Sequence, residues 1–257
     1  MSTFDSTKLP LREVIQGIQK GEYQLPDFQR GWVWDDEHVR SLLVSIARSF
    51  PIGAVMTLET GGDVHFQVRP IENVKLEKDV EPDKLILDGQ QRLTSLTQVL
   101  GLSGPVKTFD HKKSEVERYY YIDIMKVLEG GDIDDAFYSV SKERVITSNF
   151  GRDITLDIST PEKEVEQLQF PCNQILDYDS WQDKCYEADK YKEFKAFKDA
   201  VLNPFRDYNI PIIALNKHTS KEAVCLVFEK VNTGGVSLTV FELITATFAA
   251  DGYNLRK

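Results

Sequence analysis

Five consecutive residues, Asp88-Gly89-Gln90-Gln91-Arg92, hold the densest set of chemistry-capable groups in this chain. Gly89 lets the backbone approach a ligand closely, and Arg92 can grip a phosphate with a two-pronged fork. The carboxylate of Asp88 could hold a metal ion or orient a water. Leu85-Ile86-Leu87 reads as a short strand feeding this turn, and Leu93, Leu96 and Leu100 recur on one face of a helix leaving it. That layout sets backbone N–H groups and the positive end of a helix beside an arginine, which is an anion site. A plain strand–turn–helix is the competing reading, with Asp88 as N-cap and Arg92 solvated. The paired glutamines are poor caps and good ligand readers.

Other candidates are sparser. Arg30, with Gln29 beside it, ends an extended segment and precedes a glycine, so it could be a second phosphate clamp or an ion-paired surface residue. Trp32 and Trp34 alternate across an extended stretch; both suit core packing, and either could stack on a base. Asn232-Thr233-Gly234-Gly235 reads as a helix C-cap whose Asn232 side chain could also face a ligand. His38, His65, His111 and His218 show no metal-ligand spacing. Neither a GxSxG nor a Walker lysine motif is present, which removes the common hydrolase and P-loop classes.

The elements that must position these groups alternate between helix and strand. A helix is expected from Pro10 to Lys20, with Gly21 as its stop, then a strand over Gln24–Gln29. Asp35 or Asp36 caps a second helix that Pro51 ends, and Ile52–Glu59 returns as a strand. Tyr119–Ile124 is a further strand, and residues 161–205 read as charged helices whose interleaved Lys and Glu mark a solvated surface. Ile210–Leu215 is a strand, with Pro211 suited to an edge or a beginning. Thr219 with Glu222, and Thr239 with Glu242, form capping boxes for two last helices.

Composition excludes several classes. With 257 residues, 41% hydrophobic and 28% charged, the chain can bury a sizeable core. No run approaches the roughly 20 apolar residues of a membrane span, and Met1–Asp5 lacks the basic and apolar segments of a signal peptide. Three widely spaced cysteines suit reduced cytoplasmic thiols. A net charge of −10 argues against even coating for non-specific DNA binding, while leaving room for a local basic groove.

The segments Tyr23–Trp34, Ser41–Glu59, Asp88–Arg92 and Phe228–Leu238, in that order, resemble the N-terminal domain of GmrSD-type, modification-dependent restriction enzymes. The resemblance implies a ParB/sulfiredoxin-like α/β (α+β) fold, a small mixed sheet with packed helices. Residues 8–105 and 206–257 would form the core, with 106–205 inserted as a mixed, mostly helical subdomain. It also implies a nucleoside triphosphate, with Mg²⁺, bound and hydrolysed at the five-residue motif. In that scheme Asp88, Gln91 and Arg92 are catalytic and Asp88 is the metal ligand. Gln29, Arg30, Gly89, Gln90, Arg92, Thr94 and Asn232 bind the nucleotide. Partners would be DNA, directly or through a nuclease domain or subunit, with no membrane and oligomers open. The alternative is a non-catalytic module that recognises DNA or a partner. Sulfiredoxin-type redox chemistry needs a cysteine beside the motif, and none is near in sequence. The chain stops at Lys257 without a second nuclease-sized domain, so the nuclease is expected on another segment or polypeptide.

Overall fold

The computed structural model describes residues 4–231 and is mixed α/β. It opens with β1 (Phe4–Pro10), α1 (Leu11–Lys20), β2 (Tyr23–Pro26) and α2 (Asp36–Ala47). Next come β3 (Val55–Glu59), β4 (Val68–Arg69), β5 (Lys84–Asp88) and α3 (Gln90–Leu96). The middle holds β6 (Val106–Phe109), β7 (Glu115–Asp123), α4 (Ile124–Leu128), α5 (Ile133–Ala136), β8 (Phe137–Ser141), β9 (Val145–Ser148) and β10 (Asp153–Asp157). After α6 (Pro161–Glu166) and β11 (Gln169–Pro171) come the helices α7 (Asp179–Glu187), α8 (Tyr191–Phe197) and α9 (Asn203–Arg206). β12 (Asn209–Leu215) and α10 (Lys221–Val231) follow.

These elements form two compact units. The first comprises Met1–Trp32, Gly53–Thr94 and the chain from Asn209 onward. Its six-stranded sheet runs β1-β12-β3-β5-β2-β4, with β12–β3 and β5–β2 parallel and the other pairs antiparallel. On it Leu58, Leu85, Leu87 and Leu215 pack with Val224 and Phe228 of α10. Pro211 faces Lys8 of β1, and pairing with β3 begins only at Ile212. The missing proline N–H therefore falls ahead of the parallel ladder, as its tolerance for strand beginnings requires.

The second unit comprises Val33–Ile52 and Ser95–Tyr208. The long β7 is its spine, pairing with β8 over Arg118–Ile122, with β6 over Glu115–Arg118 and with β11 over Tyr121–Asp123. Its aromatic core gathers Phe170, Trp181, Phe194 and Phe197, with Phe170 and Trp181 edge to face at 5.0 Å between ring centres. The apolar face of α2 packs in this unit, against β8, α5 and α9.

Three local expectations change, and one strand is new. α2 stops at Ala47, ahead of Pro51, because Ser49 adopts φ 55°. Its N–H reaches Ile46 O at 2.8 Å and that of Phe50 reaches Ser45 O at 2.8 Å. That is a Schellman closure, which Gly21 also makes, as expected, at the end of α1. The strand expected over Gln24–Gln29 ends at Pro26, where the chain turns and Gln29 N–H returns to Pro26 O at 3.1 Å. Ser220, not Thr219, caps α10: its hydroxyl accepts from Ala223 N–H at 3.3 Å. Finally, β1 had no signal; its exposed residues become a strand by pairing with β12. The cap at Asp35, which accepts from His38 N–H at 3.0 Å, is as read from sequence. Thr239, Glu242 and the helix assigned to them lie outside the described residues.

Candidate functional site

The Asp88–Arg92 turn lies wholly in the first unit, at the end of β5. Strand geometry ends at Asp88, Gly89 takes φ 88°, and α3 starts at Gln90, with Leu93 N–H bonding Gly89 O at 2.9 Å. A Cβ on Gly89 would stand 2.9 Å from Val55 Cγ2, so both the conformation and the space demand glycine here. Asp88 turns its carboxylate to Arg92, Oδ2 to Nη2 at 3.3 Å; the aspartate side chain is 38% exposed and the arginine 18%. The Arg92 guanidinium also lies against Gly53 at φ 90°, where a Cβ would be only 2.5 Å from Nη1. Two left-handed glycines thus make the bed in which this arginine lies.

Gln90 and Gln91 do something the sequence did not suggest. Gln90 Nε2 donates to Arg30 O at 2.6 Å and Gln91 Nε2 to Gly31 O at 3.2 Å. Their amides tie the loop after β2 to α3. Arg69 grips the same loop, donating to Gln29 O and Arg30 O at 3.3 Å each. It is held by Glu72 at 3.0 Å, whose Oε1 also accepts from Trp32 N–H at 3.1 Å. Arg69 and Glu72 were missed because they sit in a polar stretch whose pattern gives no hint of where it folds back. Gly53 carried a faint signal, a glycine just before a strand.

Gln29 fills a gap in the sheet. Pairing of β2 with β5 is confined to Tyr23–Lys84 and Gln24–Leu85. Further along β5, Gln29 Nε2 donates to Ile86 O at 2.8 Å and Leu87 O at 3.3 Å. The loop therefore brings Gln29 and the Arg30 backbone to the motif. The Arg30 side chain is exposed and, among the described residues, makes no ion pair. Thr94 is fully buried with its hydroxyl 3.4 Å from Glu72 Oε2. Trp32 is buried, and Trp34 is half-buried with its ring 5.7 Å from that of His38. Asn232 lies outside the described residues.

Among the described residues, no three His, Cys, Asp or Glu side chains are grouped to hold a metal, and no helix is long and apolar enough to cross a membrane. All three cysteines are buried thiols, and burial raises the pKa of each.

Residues 11–249 match the model of the family described as GmrSD restriction endonuclease, N-terminal domain. An uncharacterized protein of Methanocaldococcus jannaschii is 30% identical over 256 residues, an alignment covering 93% of this chain and 41% of that protein. The chain thus spans well under half the length of the curated relative it matches. It belongs to the GmrSD N-terminal domain family, which makes it a restriction-system domain.

Proposed function

We propose that this member of the GmrSD N-terminal domain family binds a nucleoside triphosphate at the Asp88–Arg92 turn. It would serve as the nucleotide-responsive regulatory domain of a modification-dependent restriction system. DNA cleavage would fall to a nuclease domain or subunit acting with it, in the cytoplasm. The observation that carries this reading is Arg92 laid over Gly53 and Gly89 beside the Asp88 carboxylate. Backbone without side chains beside a partly exposed guanidinium is the geometry that lets phosphate oxygens come close.

Arg92 would counter charge on the phosphates, and the exposed Arg30 would add a second cation from the loop that Gln90 and Gln91 hold. Gly89 would let the backbone N–H groups of the turn face the same oxygens. Mg²⁺ in nucleotide sites needs only one or two carboxylates, the phosphates supplying the rest, so Asp88 alone fits as its protein ligand. The ion would screen the phosphate charge. If the triphosphate is hydrolysed, Asp88 orients the attacking water and Arg92 offsets the charge that grows on the leaving phosphate. Gln91 would act through the loop rather than on the water, since its amide nitrogen donates to Gly31 O.

That use of both glutamine amides favours a second reading, a binding module without turnover that recognises DNA or a partner. Thermal-shift and calorimetric titration with each nucleoside triphosphate and Mg²⁺ tests the first. A ligand at 100 times its Kd should stabilise by about 2.7 kcal/mol, and Arg92→Ala should remove the effect. No stabilisation by any triphosphate at millimolar concentration would reject nucleotide binding. Binding without phosphate release would select the module.

A further inference from the structure

In the loop after β2, three successive carbonyls are taken by side-chain donors, all within the first unit. Gln29 O accepts from Arg69 Nη2 at 3.3 Å. Arg30 O accepts from the same Nη2 at 3.3 Å and from Gln90 Nε2 at 2.6 Å. Gly31 O accepts from Gln91 Nε2 at 3.2 Å. In a strand successive carbonyls alternate in direction; here they turn together toward Arg69 and the start of α3. A trans peptide is planar and sets the N–H of the next residue opposite each carbonyl, and none of the described peptide bonds is cis. The N–H groups of Arg30, Gly31 and Trp32 therefore turn away from those donors as a set.

Glu72 Oε1 accepts from Trp32 N–H at 3.1 Å. The other two N–H groups, of Arg30 and Gly31, have no acceptor among the described residues. Both residues are exposed, so a solute can reach them. A Cβ on Gly31 would meet nothing within 4 Å, which leaves the space beside its N–H open. The exposed Arg30 guanidinium adds a cation at the same place. The carboxylate bonded to this stretch, that of Glu72, has its charge offset by Arg69 at 3.0 Å. Water would satisfy exposed N–H groups in a loop of any shape. What needs a reason is that three side chains from β4 and α3 hold this backbone so that two adjacent N–H groups face outward beside an arginine. That is the arrangement that receives an oxyanion.

We propose that the Arg30–Gly31 loop is a phosphate subsite, in which two backbone N–H groups and the Arg30 guanidinium hold one phosphate group. Gln90, Gln91 and Arg69 are its positioning residues. The subsite does not depend on a triphosphate at the Asp88–Arg92 turn. Its phosphate is either the free ion or one carried by a nucleotide.

Amide chemical shifts of the full chain read the two N–H groups one by one. Titration with inorganic phosphate at constant ionic strength should move the Arg30 and Gly31 amide protons downfield along a saturable, millimolar curve that chloride does not reproduce. Arg30→Gln should weaken binding about tenfold, the worth of one charge-assisted hydrogen bond. Gln91→Leu frees Gly31 O and should weaken it as well, with the rest of the spectrum unchanged to show that the fold is kept. Arg92→Ala should leave the response in place. The same titration with a nucleoside triphosphate and Mg²⁺ separates the sources. Shifts at Arg30, Gly31 and Gly89 together assign the subsite to a nucleotide phosphate. Shifts at Arg30 and Gly31 without Gly89 uphold it for the free ion while the reading of the turn fails. Shifts at Gly89 alone keep the turn and overturn the subsite. A phosphate response no larger than that to chloride, one undiminished in both Arg30→Gln and Gln91→Leu, or one lost in Arg92→Ala would each overturn it too.

Discussion

The Asp88–Arg92 turn and the Glu164 cluster of the second unit both set an arginine against a carboxylate, at 3.3 Å and 3.4 Å, yet they are built in opposite ways. The turn takes both partners from five adjacent residues and leaves Asp88 38% exposed. The cluster draws Tyr121, Arg144 and Glu164 from three elements, with Tyr121 Oη donating to Glu164 at 2.7 Å, and closes over the carboxylate until 3% is exposed. A pair in water contributes little to stability and is available to a ligand, whereas a buried one is costly to break. The turn is therefore arranged for exchange, and the cluster is arranged for permanence.

The largest effect separates the two on stability. Glu164→Leu leaves Tyr121 Oη and Arg144 without their shared acceptor, so urea unfolding should show a loss of about 3 kcal/mol. Glu164→Gln keeps an acceptor for Tyr121 and should cost well under half of that. At the turn, Asp88→Asn should change stability by about 1 kcal/mol or less, as an exposed pair does. Comparable losses at Glu164 and Asp88 would erase the distinction between the two sites.

Legibility from sequence follows the same division. β5, α3, the Gly21 stop and the Asp35 cap were readable because each is a local matter of apolar period or capping chemistry. So was the turn, whose groups are neighbours along the chain. The task of Gln90 and Gln91 was not, because carbonyls of a loop sixty residues away decide it. β1 was hidden for a similar reason: Asp5, Ser6 and Thr7 have no strand pattern and pair only because β12 lies alongside. Glu164 looked like one more charge on a solvated helix, since neither Tyr121 nor Arg144 is near it in sequence.

The next effect sharpens the account of the turn. Gly53 and Gly61 both adopt positive φ, at 90° and 79°, but only Gly53 abuts Arg92. Gly61→Ala meets open space and should cost only the backbone strain, about 1 kcal/mol. Gly53→Ala adds a methyl 2.5 Å from Arg92 Nη1 and should cost about 2 kcal/mol while displacing the guanidinium. Triphosphate binding, measured by calorimetry, should then fall in Gly53→Ala and stay near wild type in Gly61→Ala. Equal binding in the two variants would mean that the position of Arg92 does not matter to the ligand.

The smallest effect is a pH response whose sign differs within a short stretch of the second unit. Hydrogen bonds from Lys163 and Ser159 lower the Asp157 carboxyl from its ordinary 3.8 to about 2. Bonds from Lys184 and from its own backbone likewise bring Glu162 from 4.5 to about 2. Carboxyls with lowered folded pKa values stabilise the fold above their ordinary values and lose that contribution as pH falls toward 2. Glu164 runs the other way, because burial raises it. Its folded state holds the proton more tightly than the unfolded one. Its contribution is present below about pH 4.5 and is lost as pH rises through the raised value. Removing Glu164's titration with Glu164→Gln should therefore flatten the fall in stability on the alkaline side of pH 4.5. Asp157→Asn should instead flatten the fall between about 3.8 and 2. Both pairs around Asp157 and Glu162 are in contact with water, so the acid-side change should be small and should shrink further in added salt. Urea melts of the three proteins across pH 2 to 7 measure both slopes. A Glu164→Gln profile that parallels wild type above pH 4.5 would show that the carboxyl is solvated, and the contrast with Asp88 would go with it.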